Sequence, residues 1–194
     1  MPGLTVLAPK NSWELGEMLG FALKYNAPVA IRYPRGEAYD GLKEFRSKID
    51  YGKSEQIREG SQIALIALGS MVKTALEVER RLEEQGYCCT LINARFAKPL
   101  DTEMLGRLAA SHQLLVTLEE NVASGGFGEH VAQYLSQEQK ERLGQGLQVL
   151  TVAVPDVYVE HGNVEILRKE LGIDSDSVVE RIRIIIDRRE VSGQ

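Results

Sequence analysis

The sequence predicts an α/β protein with a three-layer architecture and a mostly parallel sheet. Three observations point there. Short apolar runs of β type alternate with longer segments whose apolar residues recur at helical spacing. The first strand, helix and strand follow one another closely enough to form a βαβ unit, whose strands must run parallel. The chain is 194 residues long, 43 % hydrophobic and 26 % charged, the make-up of an ordinary soluble domain, or of one domain plus a piece of another.

Thr5-Val6-Leu7 is a short apolar run ending before Pro9. Asn11-Ser12 offers an N-cap to a helix carrying Trp13, Leu15, Met18, Leu19, Ala22 and Leu23, which should end near Asn26 with that residue as a left-handed C-cap. Pro28 to Tyr33 is the next strand, closed by Pro34 and Gly36. Residues 37–52 are polar and glycine-dotted and read as a linker. A short strand around Lys53 to Ile57 opens a second unit. Ile63 to Leu68 has the unbroken apolar character of a buried strand. A helix follows from about Val72 to Gln85, stopped by Gly86, and then a strand from Cys89 to Asn93. Asp101 is suited to cap a helix from Thr102 to Ala110, with Glu103 favourably placed in its first turn. Leu114 to Leu118 is a strand, Gly125-Gly126-Phe127-Gly128 opens a helix to about Leu135, and Leu147 to Val154 is the last clear strand. Asn163 caps a helix ending at Gly172, and a final helix runs from Ser175 or Asp176 to about Asp187.

Residues 61–190 therefore give four strands separated by helices, a self-contained α/β domain. Residues 4–36 give one βαβ piece, which cannot bury both faces of its two strands by itself. It reads as the tail of another domain, with apolar strand edges expected near Val6 and Val29 and self-association as the consequence.

Composition excludes several classes of function. Twenty-three basic against 28 acidic residues leave a net charge of −5, which argues against a nucleic-acid-coating role. No apolar run approaches the roughly 18 residues of a membrane span, and nothing in the first residues resembles an export signal. Adjacent Cys88 and Cys89 make neither a disulfide framework nor a metal knuckle. A cytoplasmic metabolic protein is the expectation.

No complete catalytic constellation is visible. There is no Gly-x-Ser-x-Gly elbow and no phosphate loop ending in Gly-Lys-Ser/Thr. The most suggestive stretch is Ile31-Arg32-Tyr33-Pro34-Arg35-Gly36. It ends a parallel strand, at the carboxyl edge where α/β folds bind ligands. Pro34 stiffens the turn, and a guanidinium at Arg35 suits a phosphate or carboxylate. A solvated arginine, or an ion pair with a neighbouring domain, fits these residues as well. Gly69-Ser70 lies between strand and helix, where amides can hold an anion, although Ser70 as a plain helix cap is the simpler reading. Glu119 and Glu120 end a strand and point to different sides, which suits a solvated edge or an inter-domain ion pair. Gly125 to Gly128 could cradle an anion or mark a close chain crossing, and the crossing is preferred. His112, His130 and His161 are scattered and read as surface or supporting residues.

The order of motifs carries more than any one of them. Ala30-Ile31-Arg32-Tyr33-Pro34-Arg35-Gly36, Leu68-Gly69-Ser70-Met71-Val72, Asn93-Ala94-Arg95-Phe96-Ala97-Lys98-Pro99-Leu100-Asp101, Thr117-Leu118-Glu119-Glu120-Asn121 and Val159-Glu160-His161-Gly162 occur in series. This series closely resembles the carboxy-terminal part of the 1-deoxy-D-xylulose-5-phosphate synthases, thiamine-diphosphate enzymes of the transketolase family. The resemblance runs from about Leu7 to the last helix and is weakest over 37–52. It implies that residues 1–36 are the end of a pyrimidine-binding domain, 37–52 a linker and 53–194 a transketolase carboxy-terminal domain.

It also implies a complete enzyme that joins pyruvate, with loss of CO2, to D-glyceraldehyde 3-phosphate, using thiamine diphosphate and Mg²⁺, and that works as a homodimer without nucleic acid or membrane. The product would feed isoprenoid, thiamine and pyridoxal phosphate synthesis. Of the family's functional residues, only the arginine that grips the substrate phosphate falls on this chain, at Arg35. No catalytic, cofactor-binding or metal residue is implied, and the chain alone is expected to bind no cofactor and to be inactive. Two other readings stay open: a subunit of a split thiamine-diphosphate enzyme, and a non-catalytic module that binds an anion at the turns near Ser70 and Gly126.

Overall fold

A computed structural model describes residues 2–35 and 37–192; Gly36, expected with Pro34 to close the second strand, lies outside them. The chain runs β1 (Thr5–Leu7), α1 (Ser12–Lys24), β2 (Val29–Ile31), β3 (Glu55–Arg58), β4 (Ile63–Ala67), α2 (Met71–Glu83), β5 (Cys89–Asn93) and β6 (Phe96–Lys98). It continues with α3 (Thr102–Ser111), β7 (Leu114–Val122), α4 (Phe127–Glu138), α5 (Lys140–Gly144), β8 (Gln148–Val154), α6 (Val164–Glu170) and α7 (Ser175–Ser192).

The second unit is built on a five-stranded sheet of order β3-β5-β4-β7-β8. Strands β4, β5, β7 and β8 are parallel, and β3 joins the edge antiparallel to β5. Strand alternation sends Ile63, Leu65 and Ala67 of β4 into one apolar layer, with Val72, Ala75 and Val78 of α2 and Val178 and Ile182 of α7. Ala64 and Ile66 enter the opposite layer, with Met104, Leu105 and Leu108 of α3 and Val131 and Leu135 of α4. Every residue of β4 and β5 is buried, and β4 accordingly reads as an unbroken apolar run. The expected three-layer fold is thus present, with helices on both faces.

Local signals placed most elements well. Asn11 Oδ1 accepts from the Glu14 amide at 2.9 Å, Asp101 Oδ1 from the Met104 amide at 3.1 Å, and Asn163 Oδ1 from the Glu165 amide at 2.9 Å. The end of α1 differs from expectation. Tyr25, with an extended backbone, is the C-cap, so Asn26 is not a left-handed cap. The Tyr25 ring stacks on Tyr51, 5.1 Å between centroids, and its extended backbone ends the helix without a left-handed turn.

The first unit is not left with two bare edges. β1 pairs parallel with β2 on one side and antiparallel with β6 on the other, giving a second sheet of order β2-β1-β6. Val6 therefore lies on a central strand, and of the two expected edges only β2, with Val29, remains open. β6 was invisible in the sequence because three residues after a left-handed Arg95 carry no periodicity. Residues 37–52 have no helix or strand, yet Leu42 packs into the large core and Ile49 joins Leu7, Met18 and Phe96.

Glu79 on α2 is a buried carboxylate whose Oε1 accepts no hydrogen bond and lies 3.5 Å from Arg58 Nε. Burial pushes its pKa from 4.5 up to about 6; Arg58 opposes the shift and Glu83 adds to it. The folded state thus prefers the protonated form, and stability is lost as pH rises from 4.5 to about 6. Glu79→Gln is expected to stabilise the protein by about 1–2 kcal/mol at pH 8 and to do nothing below about pH 4, by chemical denaturation at both.

Candidate functional site

β1 and β2 are parallel, so their carboxyl ends share one edge; β4 and β7 share another. These edges face each other across a cleft. Ala8, Arg32, Tyr33 and Pro34 line one wall, and Leu68, Gly69, Ser70 and Glu120 the other. The walls come close enough at Gly69 to require glycine. It has φ +62°, and a Cβ there would lie 3.0 Å from the Ala8 Cβ.

Ser70 begins α2 but does not cap it: its side chain makes no cap hydrogen bond, and its hydroxyl donates to Glu120. Glu120 also accepts from Arg168 Nε of α6 at 2.9 Å, with Nη2 pointing to the same oxygen. The plain-cap reading of Ser70 is overturned: its hydroxyl is turned to donate to the Glu120 carboxylate, and its oxygen accepts from no helix amide. Glu120 is not a solvated edge residue either. It ties α2 and α6 to the end of β7.

Glu119 points the other way, onto the start of α4. Its carboxylate accepts from the Phe127 amide at 2.9 Å and the Gly128 amide at 2.7 Å. Burial raises its pKa; the two amides and the charges of Arg32 and His130 pull against that shift. The amides that might have cradled an external anion are filled by the protein's own carboxylate. Gly128 marks a close crossing as expected, since a Cβ there would lie 2.5 Å from Thr151 Cγ2 and 2.6 Å from Thr117 Oγ1. The alternative of an anion module loses its site near Gly126 to Glu119, while at the other turn Glu120 takes the Ser70 hydroxyl.

Arg32 and Arg35 follow the end of β2, and both are exposed. Only Arg32 lines the cleft, with its amide donating to Leu7 O at 2.8 Å. Arg35 stands one residue beyond Pro34.

Sequence reasoning missed the feature that joins the cleft walls, a buried charge network. Lys10 Nζ lies 3.0 Å from Glu14 Oε1 and 2.7 Å from Glu55 Oε2. Arg95 Nε donates to Glu14 Oε1 at 2.8 Å, and its Nη2 pairs with Glu55 Oε1 at 3.0 Å. Asn93 Nδ2 adds a bond to Glu14 at 2.9 Å, and Arg95 also donates to the carbonyls of Lys48 and Ser47. Lys10 and Arg95 are each 1 % exposed. Burial alone would raise the Glu55 carboxyl, but hydrogen bonds from Lys10 and Ser47 and the charge of Arg95 hold it below its usual range. Two cations and two carboxylates balance, which is what allows the burial. The available signal was Lys10 and Glu14 at helical spacing beside the Asn93-Ala94-Arg95 run, but pairing across 80 residues has no sequence signature.

The histidines split. His130 and His161 are exposed, whereas His112 is buried, with Nε2 2.7 Å from the Thr90 hydroxyl and Nδ1 3.1 Å from Leu108 O. It is a core histidine rather than a surface one, and burial lowers its pKa. Among the described residues, no group of three or more His, Cys, Asp and Glu side chains could hold a metal ion, and no helix is long and apolar enough to cross a membrane. The carboxylates of Glu119 and Glu120 are taken up by the α4 amides and by Ser70 and Arg168.

The transketolase C-terminal domain family matches residues 52–178. A 1-deoxy-D-xylulose-5-phosphate synthase of Lachnoclostridium phytofermentans is 49 % identical over 182 residues, covering 94 % of this chain and 28 % of that protein. The one from Chlorobium phaeovibrioides is 42 % identical over 194 residues, covering 98 % of this chain and 29 % of that protein. The chain thus spans under a third of the length of these relatives. A solved structure described as a split gene transketolase, inactive beta4 tetramer, superposes with a TM-score of 0.85 at 27 % identity, covering 96 % of this chain and 58 % of that one. A transketolase from Campylobacter jejuni shares the fold, with a TM-score of 0.69 at 18 % identity over 94 % of this chain and 26 % of that one. The family match over residues 52–178, set on a mostly parallel five-stranded sheet with helices on both faces, shows that the chain belongs to the transketolase C-terminal domain family.

Proposed function

We propose that this chain is the part of a 1-deoxy-D-xylulose-5-phosphate synthase that carries the phosphate-gripping edge and the accessory carboxy-terminal domain. The complete enzyme would condense pyruvate with D-glyceraldehyde 3-phosphate, releasing CO2, with thiamine diphosphate and Mg²⁺ held by residues outside this chain. The bound cofactor supplies the carbanion chemistry. This chain's own part is to grip. Arg35, exposed just past a strand end and stiffened by Pro34, binds the substrate phosphate. Residues 1–36 close a pyrimidine-binding domain, 37–52 link, and 53–194 support, in a cytoplasmic enzyme.

The observation that carries this reading is the 49 % identity over 182 residues to a synthase of that name. In the complete enzyme, Arg35→Ala is expected to raise KM for glyceraldehyde 3-phosphate roughly 10- to 100-fold, the worth of a lost charge-assisted hydrogen bond, with KM for pyruvate unchanged. Equal effects on both substrates would remove Arg35 from the phosphate site. The chain alone, mixed with both substrates, thiamine diphosphate and Mg²⁺, is expected to give no turnover; measurable product would sink the accessory role.

Self-association belongs to the same reading. Leu23, Val157, Tyr158, Val164 and Ile166 are large apolar side chains left exposed, Tyr158 completely so. Light scattering is expected to give a mass above 21.6 kDa that rises with concentration. A constant monomer mass would contradict it. The split gene transketolase that superposes on this chain favours a second reading, a subunit that completes an enzyme with a separate partner chain. Recovery of activity on mixing with such a partner would decide for it.

A further inference from the structure

The two walls of the cleft belong to different sheets, yet a short main-chain relay ties them together. The Ala94 amide donates to Ala67 O at 2.8 Å, at the end of β4, just before Gly69 and Ser70. One residue on, Arg95 O accepts from the Ala8 amide at 2.8 Å, and Leu7 O accepts from the Arg32 amide at 2.8 Å. The wall that carries Arg32 to Pro34 is therefore hung from the wall that carries Gly69 and Ser70 through Ala94 and Arg95.

Arg95 has φ +59°, a left-handed conformation that a non-glycine residue keeps only when its surroundings over-determine it. Here they do. The guanidinium is held by Glu14, Glu55 and the carbonyls of Ser47 and Lys48, and the adjoining Lys10 amide donates to Glu14 Oε2 at 2.7 Å. The side chain fixes its own backbone, and that backbone fixes the carboxyl end of β1. Strand β2 follows, because its last ladder bond is the one from Arg32 to Leu7.

We infer that Arg95, locked by Glu14, is a positioning residue for the phosphate-binding edge: it sets where the Arg32–Arg35 turn stands relative to the Gly69–Ser70 turn, and so tunes affinity for a phosphate monoester without touching it. This rests on the phosphate reading of Arg35. A guanidinium is needed because its planar fork reaches two carboxylates and two carbonyls at once; a lysine keeps the charge but not the fork. A small displacement of a gripping group lowers affinity for the gripped substrate more than it alters chemistry elsewhere.

The test uses Arg95→Lys and Glu14→Gln in the complete synthase, with Arg35→Ala as reference. Both positioning variants are expected to raise KM for glyceraldehyde 3-phosphate about tenfold while leaving kcat and KM for pyruvate within about twofold. A merely structural role would lower kcat through loss of active protein and leave both KM values alone; that result overturns the inference. If Arg35→Ala raises the KM and the positioning variants do not, the positioning role fails while the phosphate site stands. If Arg35→Ala has no effect, both fail. Hydrogen exchange on the unaltered chain is a second measurement that survives poor folding of the variants. The amides of Ala8, Arg32 and Ala94 are expected to open together with one protection factor. Separate opening of Arg32 overturns the relay.

Discussion

Arg95→Ala is expected to destabilise the protein by about 3–5 kcal/mol, the cost of breaking a buried ion pair from one side. For a chain of this size that is a fall in Tm of roughly 10 °C, readable by calorimetry. The magnitude follows from what is stranded. Glu14 and Glu55 would keep only Lys10 as a counter-charge, beside the neutral donors Asn93 and Ser47, and the carbonyls of Ser47 and Lys48 would lose the Arg95 donor. Neither carboxylate can reach water by a rotamer change, since both side chains are nearly inaccessible. The loss is expected to appear first where the network stitches separate segments, at the β1–α1 turn, residues 47–48 and the start of β3. A Tm within about 2 °C of the unaltered chain would show that the network is energetically idle.

Gly128→Ala is expected to cost about 2–3 kcal/mol, as overpacking of a well-filled interior does. The added methyl would sit 2.5 Å from Thr151 Cγ2 and 2.6 Å from Thr117 Oγ1, on neighbouring strands that cannot yield independently. Relief requires α4 to lift, which would pull its first amides from Glu119 and leave a buried carboxylate with fewer donors. Gly16→Ala is the matched control. It lies within α1 with nothing within 4 Å of the new Cβ, so the same substitution should stabilise by about 0.5–1 kcal/mol through helix propensity alone. Opposite signs in urea denaturation would separate space from propensity; equal signs would remove the close-crossing account of Gly128.

The contrast between those two glycines shows how far local reading reaches. Both sit in helices; the glycine run at 125–128 pointed to a close crossing, but nothing in it says that the crossing partner is a threonine pair. Caps at Asn11, Asp101 and Asn163 were legible because the capping atom lies within three residues of the amide it accepts from. Ser70 looked like the same signal and was not, because its hydroxyl found Glu120 fifty residues away.

The candidate site divides in the same way. The Arg32–Arg35 turn at a strand end, and its resemblance to a synthase motif, could be read directly, since strand, proline and charge are adjacent in the chain. The opposite wall could not. Gly69, Ser70 and Glu120 come to it only through the pairing of β4 with β7, and the two sheets meet through β6, three residues long, on the edge of β1 and through the buried charge network.

By itself, then, the sequence determined the α/β class, the order of nearly all elements and the family likeness, because apolar periodicity, caps and contiguous motifs act over a few residues. Tertiary structure alone decided that Glu119 fills the α4 amides, that His112 is a core residue, and that Lys10, Glu14, Glu55 and Arg95 form one buried cluster. Those outcomes rest on desolvation and on geometry between groups far apart in the chain. A charged side chain shows no trace in sequence of whether folding will surround it with water or with its counter-charges.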